Sequence, residues 1–322
     1  MATRTVFSLL PKFIVRDSDR VGDEFRFTDV LSLKRTPEGI CSLSSISDAS
    51  LSFHGNYHHG AIRNSEWSLA CDFEDPSYPM SNDDTEISTR DCNIHIARET
   101  ITRLVELSAI KSHTIIFPHY TVIANNDGSE AWLSGKSRIP NERGLDIQFW
   151  ETRITPSVLS KLKTLFQKYK EIYDKAQEAE EQIFFAIAFF REALLQKHIF
   201  LKHILIMSSF EYLFNNNGKN ITRKLSHRTA ALLSSNQQSY NSIYKKIGMA
   251  YETRCNFIHG DAKSTPRSIK QKSYANARKY LCGILEKLIE EVEPKSIWWD
   301  SNEYQKWLLV LDRSRFKRKE PT

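Results

Sequence analysis

An arginine and a histidine stand five positions apart in the last third of the chain. Arg254 and His259 close what the sequence pattern predicts to be an amphipathic helix, and Gly260 follows at once. A guanidinium keeps its charge and can donate two parallel hydrogen bonds to phosphate oxygens. An imidazole titrates near neutral pH and can give or take a proton. The pair therefore suits phosphodiester chemistry that needs no metal ion.

The spacing sets a geometric condition on this pair. Five residues along an α-helix span about 500° of rotation and roughly 7.5 Å of rise, so the two side chains point about 140° apart. The helix can unwind at His259, because Gly260 can adopt a left-handed cap. Alternatively, a two-fold dimer can join two such helix ends in one cleft. Spacing alone favours a plainer interpretation, in which His259 caps the last carbonyls and Arg254 is a solvated side chain.

Three separated sequence blocks surround the pair. The first runs over 190–193 and 206–214 and ends in a pattern that places Glu211 like the glutamate of A-L-E-x-L-F. The second, 225–233, reads as a basic A-x-L-L helix, and the third, 251–260, reads Y-x-x-R-x-x-x-x-H-G. In order and spacing these blocks resemble the Apea-like HEPN family of ribonucleases.

The resemblance implies a metal-independent endoribonuclease with no cofactor. The ribose 2′-hydroxyl would attack the adjacent phosphorus, with His259 as general acid or base. Arg254 would stabilise the charge on the phosphorane-like transition state. The products would be a 2′,3′-cyclic phosphate and a 5′-hydroxyl, and DNA would not be cut. The resemblance also implies a homodimer that acts on RNA, with tRNA as one candidate, in bacterial antiviral defence by abortive infection.

Further residues are predicted to support this site. Glu211 and Asn256 are the supporting residues, and Glu211 either orients Arg254 or is a polar flank at a helix end. Three basic residues of one short helix are predicted either to contact RNA or to lie on the surface: Lys224, His227 and Arg228.

Two other functions compete with the nuclease. In many active HEPN nucleases the residue after the arginine is polar, whereas here it is Cys255 and the polar Asn256 follows one place later. This displacement favours a non-catalytic HEPN-like module for dimerisation or RNA binding. The third interpretation is a ligand-binding β domain with a helical oligomerisation stalk.

Charge is divided unevenly along the chain. Residues 1–150 hold 15 Lys and Arg against 21 Asp and Glu, a net charge of 15 − 21 = −6. Residues 151–322 hold 30 against 18, a net charge of 30 − 18 = +12. The basic half also carries the Arg/His pair, as expected for a nucleic-acid partner, although a lysine-rich bundle can simply be soluble.

The predicted fold class is α+β. Residues 1–153 are expected to form a β-rich, sandwich-like domain that senses or regulates, 154–300 an HEPN-like helical bundle, and 301–322 a basic C-terminal extension. Strands are predicted at 12–16, 24–33, 40–46, 50–53, 66–73, 113–123, 129–133 and 145–153, with a hairpin at 126–128, a loop at 72–91 and a helix at 97–110.

The helical part shows apolar residues every three or four positions. Helices are predicted from 155 onward, over one continuous pattern through 183–212, and at 223–234, 239–259 and 270–291. Trp298, Trp299 and Trp307 are expected to pack the C-terminal extension onto the bundle. No apolar run approaches the roughly 20 residues of a membrane span, and the N-terminus does not predict a signal peptide, so a cytoplasmic location is expected.

Overall fold

The computed structural model describes residues 2–10, 13–15, 22–37, 67–75, 84–112, 120–124, 132–136, 152–176, 182–196, 198–214, 219–260, 266–293 and 295–314. The chain divides into two compact units, Met1–Gln167 and Lys168–Thr322. A β-rich region precedes a helical one, which confirms the α+β class. The boundary between the units falls inside the helix Pro156–Ala176, whereas the boundary predicted from the sequence lies before it.

The first unit is built on an antiparallel sheet of six strands in the order β3-β4-β5-β1-β6-β7, with β2 and β8 as a separate parallel pair. The N-terminal strand is central, paired with β5 on one side and β6 on the other. No strand was predicted there. The strands are β1 (Ala2–Leu10), β2 (Phe13–Val15), β3 (Glu24–Arg26), β4 (Leu31–Arg35), β5 (Trp67–Asp75), β6 (Tyr120–Ala124), β7 (Trp132–Lys136) and β8 (Thr152–Ile154).

A long helix, α1 (Asp84–Ser112), packs against β5 and β1. It buries apolar side chains at helical spacing, among them Ala97, Ile101 and Leu104. A sandwich of two sheets is the sequence expectation. In the described part of this unit, the layer against the sheet is instead this helix. The predicted loop at 72–91 is wrong at both ends, because β5 continues to Asp75 and α1 begins at Asp84.

Local turns explain where the strand predictions succeed and fail. The segment 24–33, predicted as one strand, folds into the β3–β4 hairpin, because the Thr28 hydroxyl accepts hydrogen bonds from the backbone N–H groups of Val30 and Leu31. Such a bond stabilises a tight turn. The hairpin predicted around 126–128 is confirmed by the antiparallel pairing of β6 with β7. The strands predicted at 40–46 and 50–53 lie outside the described residues.

The helical region begins as predicted. In α2 (Pro156–Ala176) proline occupies the first turn, and the Thr155 hydroxyl accepts a hydrogen bond from the backbone N–H of Val158 at 3.4 Å. Proline at the first helical position loses no intrahelical bond, so Thr155-Pro156 is a local start signal. The next helices are α3 (Gln182–Leu195), α4 (Ile199–Phe214), α5 (Ile221–Leu233), α6 (Gln237–Ile258) and α7 (Arg267–Glu290).

The pattern predicted as continuous through 183–212 is two helices, because α3 ends at Leu195 and α4 begins at Ile199. The break changes which face of α4 is buried. The predicted core positions Leu201, Leu205 and Ser208 are half-buried and Tyr212 is exposed. The opposite side supplies the core instead, through His203, Ile206, Met207, Ser209, Phe210, Leu213 and Phe214. Because α4 is apolar nearly all round, its sequence does not indicate which face is inside.

The C-terminal segment packs against the helices that precede it within the second unit. After a short 3₁₀ turn (Lys295–Trp298), helix α8 (Ser301–Asp312) starts on Asp300, whose carboxylate accepts hydrogen bonds from two backbone N–H groups of the first turn. Trp298 and Trp307 are buried, which confirms that this extension packs onto the bundle. The basic tail at 315–322 lies outside the described residues. Among the helices described, none combines the length and apolar character needed to cross a membrane.

Candidate functional site

Helix α6 positions the Arg254 side chain. It begins with a capping box, in which the Asn236 side chain accepts from the Ser239 backbone N–H while the Ser239 hydroxyl pairs with the Asn236 backbone N–H. Residues three and four apart then face the core, where α6 packs against α4, α5 and α7: Tyr240, Ile243, Ile247, Ala250 and Tyr251. This buried stripe places Arg254 at the edge of the core, with its side chain 22% exposed.

Arg254 is held between two neighbours. Its guanidinium donates to the Glu211 carboxylate of α4 over 3.2 Å. The same guanidinium lies 5.5 Å from the centre of the Tyr251 ring, within the range of a cation–π contact. Within the described part of the chain, the buried Nε of Arg254 has no hydrogen-bond partner. The structure therefore brings together Glu211 and Arg254, which is one of the two alternatives that the sequence left open for Glu211.

Tyr251 is the third member of this group and was not among the site residues predicted from the sequence. Burial, followed by the negative charge of Glu211 and a hydrogen bond to that carboxylate, raises the pKa of Tyr251 to about 12. The phenol therefore stays protonated and donates to Glu211 at neutral pH. The three residues form a closed set of contacts linking α4 and α6. A tyrosine three positions before the arginine on one helix is the signal that could have found it.

His259 stands where the helix ends. It is the C-cap of α6, with φ −83° and ψ 2°, and its backbone N–H donates to the Cys255 carbonyl over 2.9 Å. Gly260 follows in the left-handed region at φ 82°, so the expected glycine cap is present. The imidazole is exposed. The helix continues regularly from Arg254 to Ile258, and in the described residues no hydrogen bond or ion pair joins the Arg254 and His259 side chains.

Asn256, predicted as a supporting residue, is half-buried near the end of α6, as is Cys255. No hydrogen bond of the Asn256 side chain occurs within the described ranges. The next residue, Phe257, packs edge-on to the His203 ring, with centroids 5.5 Å apart, and lies 5.8 Å from the Lys270 ammonium of α7. The end of α6 is thus anchored by Phe257.

One of the three residues predicted to contact RNA, Arg228, forms an ion pair with Asp312, and the other two lie near that pair. Arg228 is buried and donates to both carboxylate oxygens of Asp312, over 2.8 and 2.6 Å, and to the Phe214 carbonyl. Its guanidinium is therefore engaged inside the fold, which corrects its assignment to an RNA surface. His227 bonds through Nδ1 to the Tyr240 hydroxyl at 2.6 Å.

The Asp312 carboxylate, at the end of α8, interacts with basic side chains of α5. The hydrogen bond from Arg228 lowers the pKa of Asp312, and the charges of His227 and Lys224 add to this effect. All three predicted RNA contacts thus lie around the C-terminal end of α8. A single acidic residue 84 positions later in the sequence gave no local signal of this arrangement.

Across the described ranges, no group of three or more His, Cys, Asp or Glu side chains is arranged to hold a metal ion. Comparison of the chain with family models, curated proteins and solved structures finds no match. A function is therefore proposed from the geometry of the site and from the sequence motifs.

Proposed function

We propose that this protein is a metal-independent endoribonuclease of the HEPN type, acting on RNA as a homodimer in the bacterial cytoplasm, in antiviral defence by abortive infection. The 2′-hydroxyl attacks the adjacent phosphorus, and the 5′-oxygen leaves with a proton. His259 moves these protons, and Arg254 stabilises the charge on the phosphoryl oxygens. The products are a 2′,3′-cyclic phosphate and a 5′-hydroxyl.

The observation that carries this proposal is the contrast between the two side chains. Arg254 is oriented by Glu211 and Tyr251, whereas the His259 ring is exposed beyond the helix end. An oriented guanidinium is suited to stabilising charge, because little rotational freedom is lost when phosphate binds. An exposed imidazole is suited to proton exchange with a substrate.

A second chain offers a way to combine these groups. Within one helix the two side chains point about 140° apart, so one phosphate is reached more readily by residues of two copies related by a two-fold axis. Such a dimer needs an apolar surface next to Arg254. Helix α4 carries one, which we define as the outer face of α4; it is half-buried or exposed in the single chain and consists of Leu201, Ile204, Leu205, Ser208 and Tyr212.

The outer face of α4 continues onto α3 through aromatic side chains. Tyr212 stacks on Phe189, with centroids 5.1 Å apart, and contacts Phe185 at 5.4 Å. Phe185 and Tyr212 are each 39% exposed. Glu211 borders this face, so a dimer formed through it would place the two Glu211–Arg254 pairs close to the symmetry axis.

The test compares cleavage of cellular RNA by the parent and by two single variants, His259→Ala and Arg254→Ala. Induction of the parent should arrest growth, and purified protein should cut RNA in EDTA, leaving 2′,3′-cyclic phosphate ends. Both variants should relieve the arrest and lose cleavage. His95→Ala is the matched control, since His95 is an exposed histidine on α1.

Two outcomes would contradict the proposal. If total RNA and tRNA stay intact after incubation with purified dimer, with or without phage extract, the proposed nuclease activity is contradicted. Equal toxicity of the parent and both alanine variants removes the assignment of the site.

The second candidate is a non-catalytic dimerisation or RNA-binding module. The ion pair of Arg254 with Glu211 favours it, because this contact can serve stability alone. This candidate predicts RNA binding without new RNA ends, and loss of thermal stability in Arg254→Ala comparable to that in Glu211→Ala.

A further inference from the structure

The last turn of α4 has an unusual set of partners. The final four carbonyls of an α-helix lack intrahelical hydrogen bonds and must be satisfied by other groups. In α4 these belong to 211–214, and three of them accept hydrogen bonds from side chains of other helices. The Tyr304 hydroxyl of α8 donates to the Tyr212 carbonyl over 3.2 Å and also to the Leu213 carbonyl. Arg228 of α5 donates to the Phe214 carbonyl.

Both donors depend on α8. Tyr304 belongs to that helix, and Arg228 is oriented by the Asp312 carboxylate at its end. A third contact comes from Trp307, whose ring stacks on that of Phe214 with centroids 6.0 Å apart. Helix α8 therefore terminates α4 through polar and apolar contacts at once.

The last turn of α4, which these contacts hold in place, also carries Glu211. The carboxylate of Glu211 pairs with Arg254, and its backbone lies one residue before the first carbonyl that Tyr304 satisfies. Without Tyr304 and Asp312, the buried Leu213 carbonyl, the part-buried Tyr212 carbonyl and a buried guanidinium would lose partners, and the turn would fray to reach water. Fraying of this turn would move Glu211 away from Arg254.

We propose that helix α8 is a brace that positions Arg254, acting through the C-terminal turn of α4 and Glu211. Tyr304 and Asp312 are then positioning residues, remote from any substrate. The importance of the brace for catalysis rests on the proposed function, but its structural effect does not.

The brace can be tested without RNA, by following the ionisation of Tyr251. The raised pKa of Tyr251, about 12, depends in part on the nearby Glu211 carboxylate. At pH 11 such a phenol is about one-tenth ionised, whereas one with an ordinary pKa near 10 is about nine-tenths ionised. The full chain is labelled with ¹³C at the tyrosine ring carbon that bears oxygen, and Tyr251→Phe identifies the resonance.

The variants are Tyr304→Phe, which removes only a hydroxyl, and Asp312→Asn. Both should increase the ionised fraction of Tyr251 at pH 11 several-fold. The control is Leu308→Ala, because Leu308 is a buried residue of the same helix with no hydrogen bond to α4. This control should lower the unfolding temperature but leave the Tyr251 titration unchanged.

The brace is overturned if Tyr304→Phe and Asp312→Asn both leave the Tyr251 titration as in the parent. It is also overturned if Leu308→Ala shifts the titration as much as they do. If the titrations move as expected while the parent cleaves no RNA, the brace stands and the nuclease proposal fails. If the parent cleaves RNA and the titrations do not move, the nuclease proposal stands and the brace fails.

Discussion

At the scale of single residues, the site consists of one arginine whose position is determined by its neighbours. Glu211 draws the guanidinium by charge, and the Tyr251 ring lies against it. Because the Tyr251 phenol donates to the same carboxylate, Glu211 is held from two directions. A phosphate that binds Arg254 therefore meets a guanidinium whose orientation is already set.

The planar shape of Arg254 should matter as well as its charge. We expect Arg254→Lys to reduce the rate of RNA cleavage by about 100-fold, because an ammonium cannot donate two parallel bonds or keep the same contact with Glu211. Gel analysis of a labelled RNA measures the rate. Arg223→Lys is the control, since Arg223 is exposed on α5. Full activity of Arg254→Lys would show that only a positive charge is needed.

A second residue-scale effect concerns the buried His203 of α4. Its Nε2 bonds to the Ala250 carbonyl at 2.8 Å, so the proton of the neutral ring is on Nε2. Burial, outweighing this bond, lowers the pKa of His203 below its ordinary 6.5. As the pH falls below 6.5, the unfolded chain takes up a proton that the folded chain does not, so the folded state loses stability until the lowered pKa is passed.

We therefore expect His203→Gln to make the free energy of unfolding less dependent on pH between about 6.5 and 5. In this range the buried imidazole destabilises the folded parent. Urea midpoints at several pH values measure this slope. His198→Gln, a change at an exposed histidine, should keep the slope of the parent. Parallel slopes for the parent and His203→Gln would place the acid sensitivity elsewhere.

At the scale of elements, helix α8 completes the helical unit. Tyr304, Leu308 and Leu311 are buried, and burying each such side chain contributes on the order of 1.5–3 kcal/mol. The Arg228–Asp312 pair adds a polar contact in which Arg228 is 2% and Asp312 35% exposed. Basic residues that the sequence suggests for RNA are thus used to bind α8.

Asp312→Ala should destabilise the folded protein by about 2–3 kcal/mol, because it leaves a buried guanidinium without its carboxylate. Urea unfolding at pH 7 measures this change. The Arg228 hydrogen bond lowers the pKa of Asp312, so its contribution is present at neutral pH and is lost as the pH falls below about 4.

The comparison is Asp174→Ala, which breaks the exposed Lys170–Asp174 pair. This substitution should leave the free energy of unfolding almost unchanged, as is usual when a surface ion pair is broken. Equal effects of the two substitutions would mean that the Arg228–Asp312 pair behaves as a surface contact.

At the scale of the whole molecule, we propose that two copies of the chain pair through the outer face of α4. Ile204→Glu should convert the proposed dimer to a monomer, because a carboxylate would be buried in an apolar interface. Light scattering after size exclusion measures the mass. Val310→Glu is the control, since Val310 is an apolar residue of α8 that is 67% exposed.

If the parent is already a monomer at micromolar concentration, or if Ile204→Glu remains dimeric, the outer face of α4 is not the interface. RNA cleavage by the monomeric variant would further show that one chain suffices for the reaction.

Local signals in the sequence determined much of the secondary structure. The Thr155-Pro156 start, the β6–β7 hairpin and the Gly260 cap were predicted because each depends on residues that are neighbours in the chain. The same holds for the spacing of Arg254 and His259, from which their divergent directions on one helix follow. The α+β class follows from short strand-forming segments between turn signals in the first part and from apolar residues every three or four positions in the second.

Only the tertiary structure decided how these pieces are used. Helix α4 is apolar on nearly all sides, so its buried face was settled by the packing of α3, α6 and α7 against it. The pairing of Arg228 with Asp312 spans 84 residues, and that of Arg254 with Glu211 spans 43. Charge and periodicity in a sequence describe a residue's own segment, whereas its partner across such a distance is chosen by the packing of the whole chain.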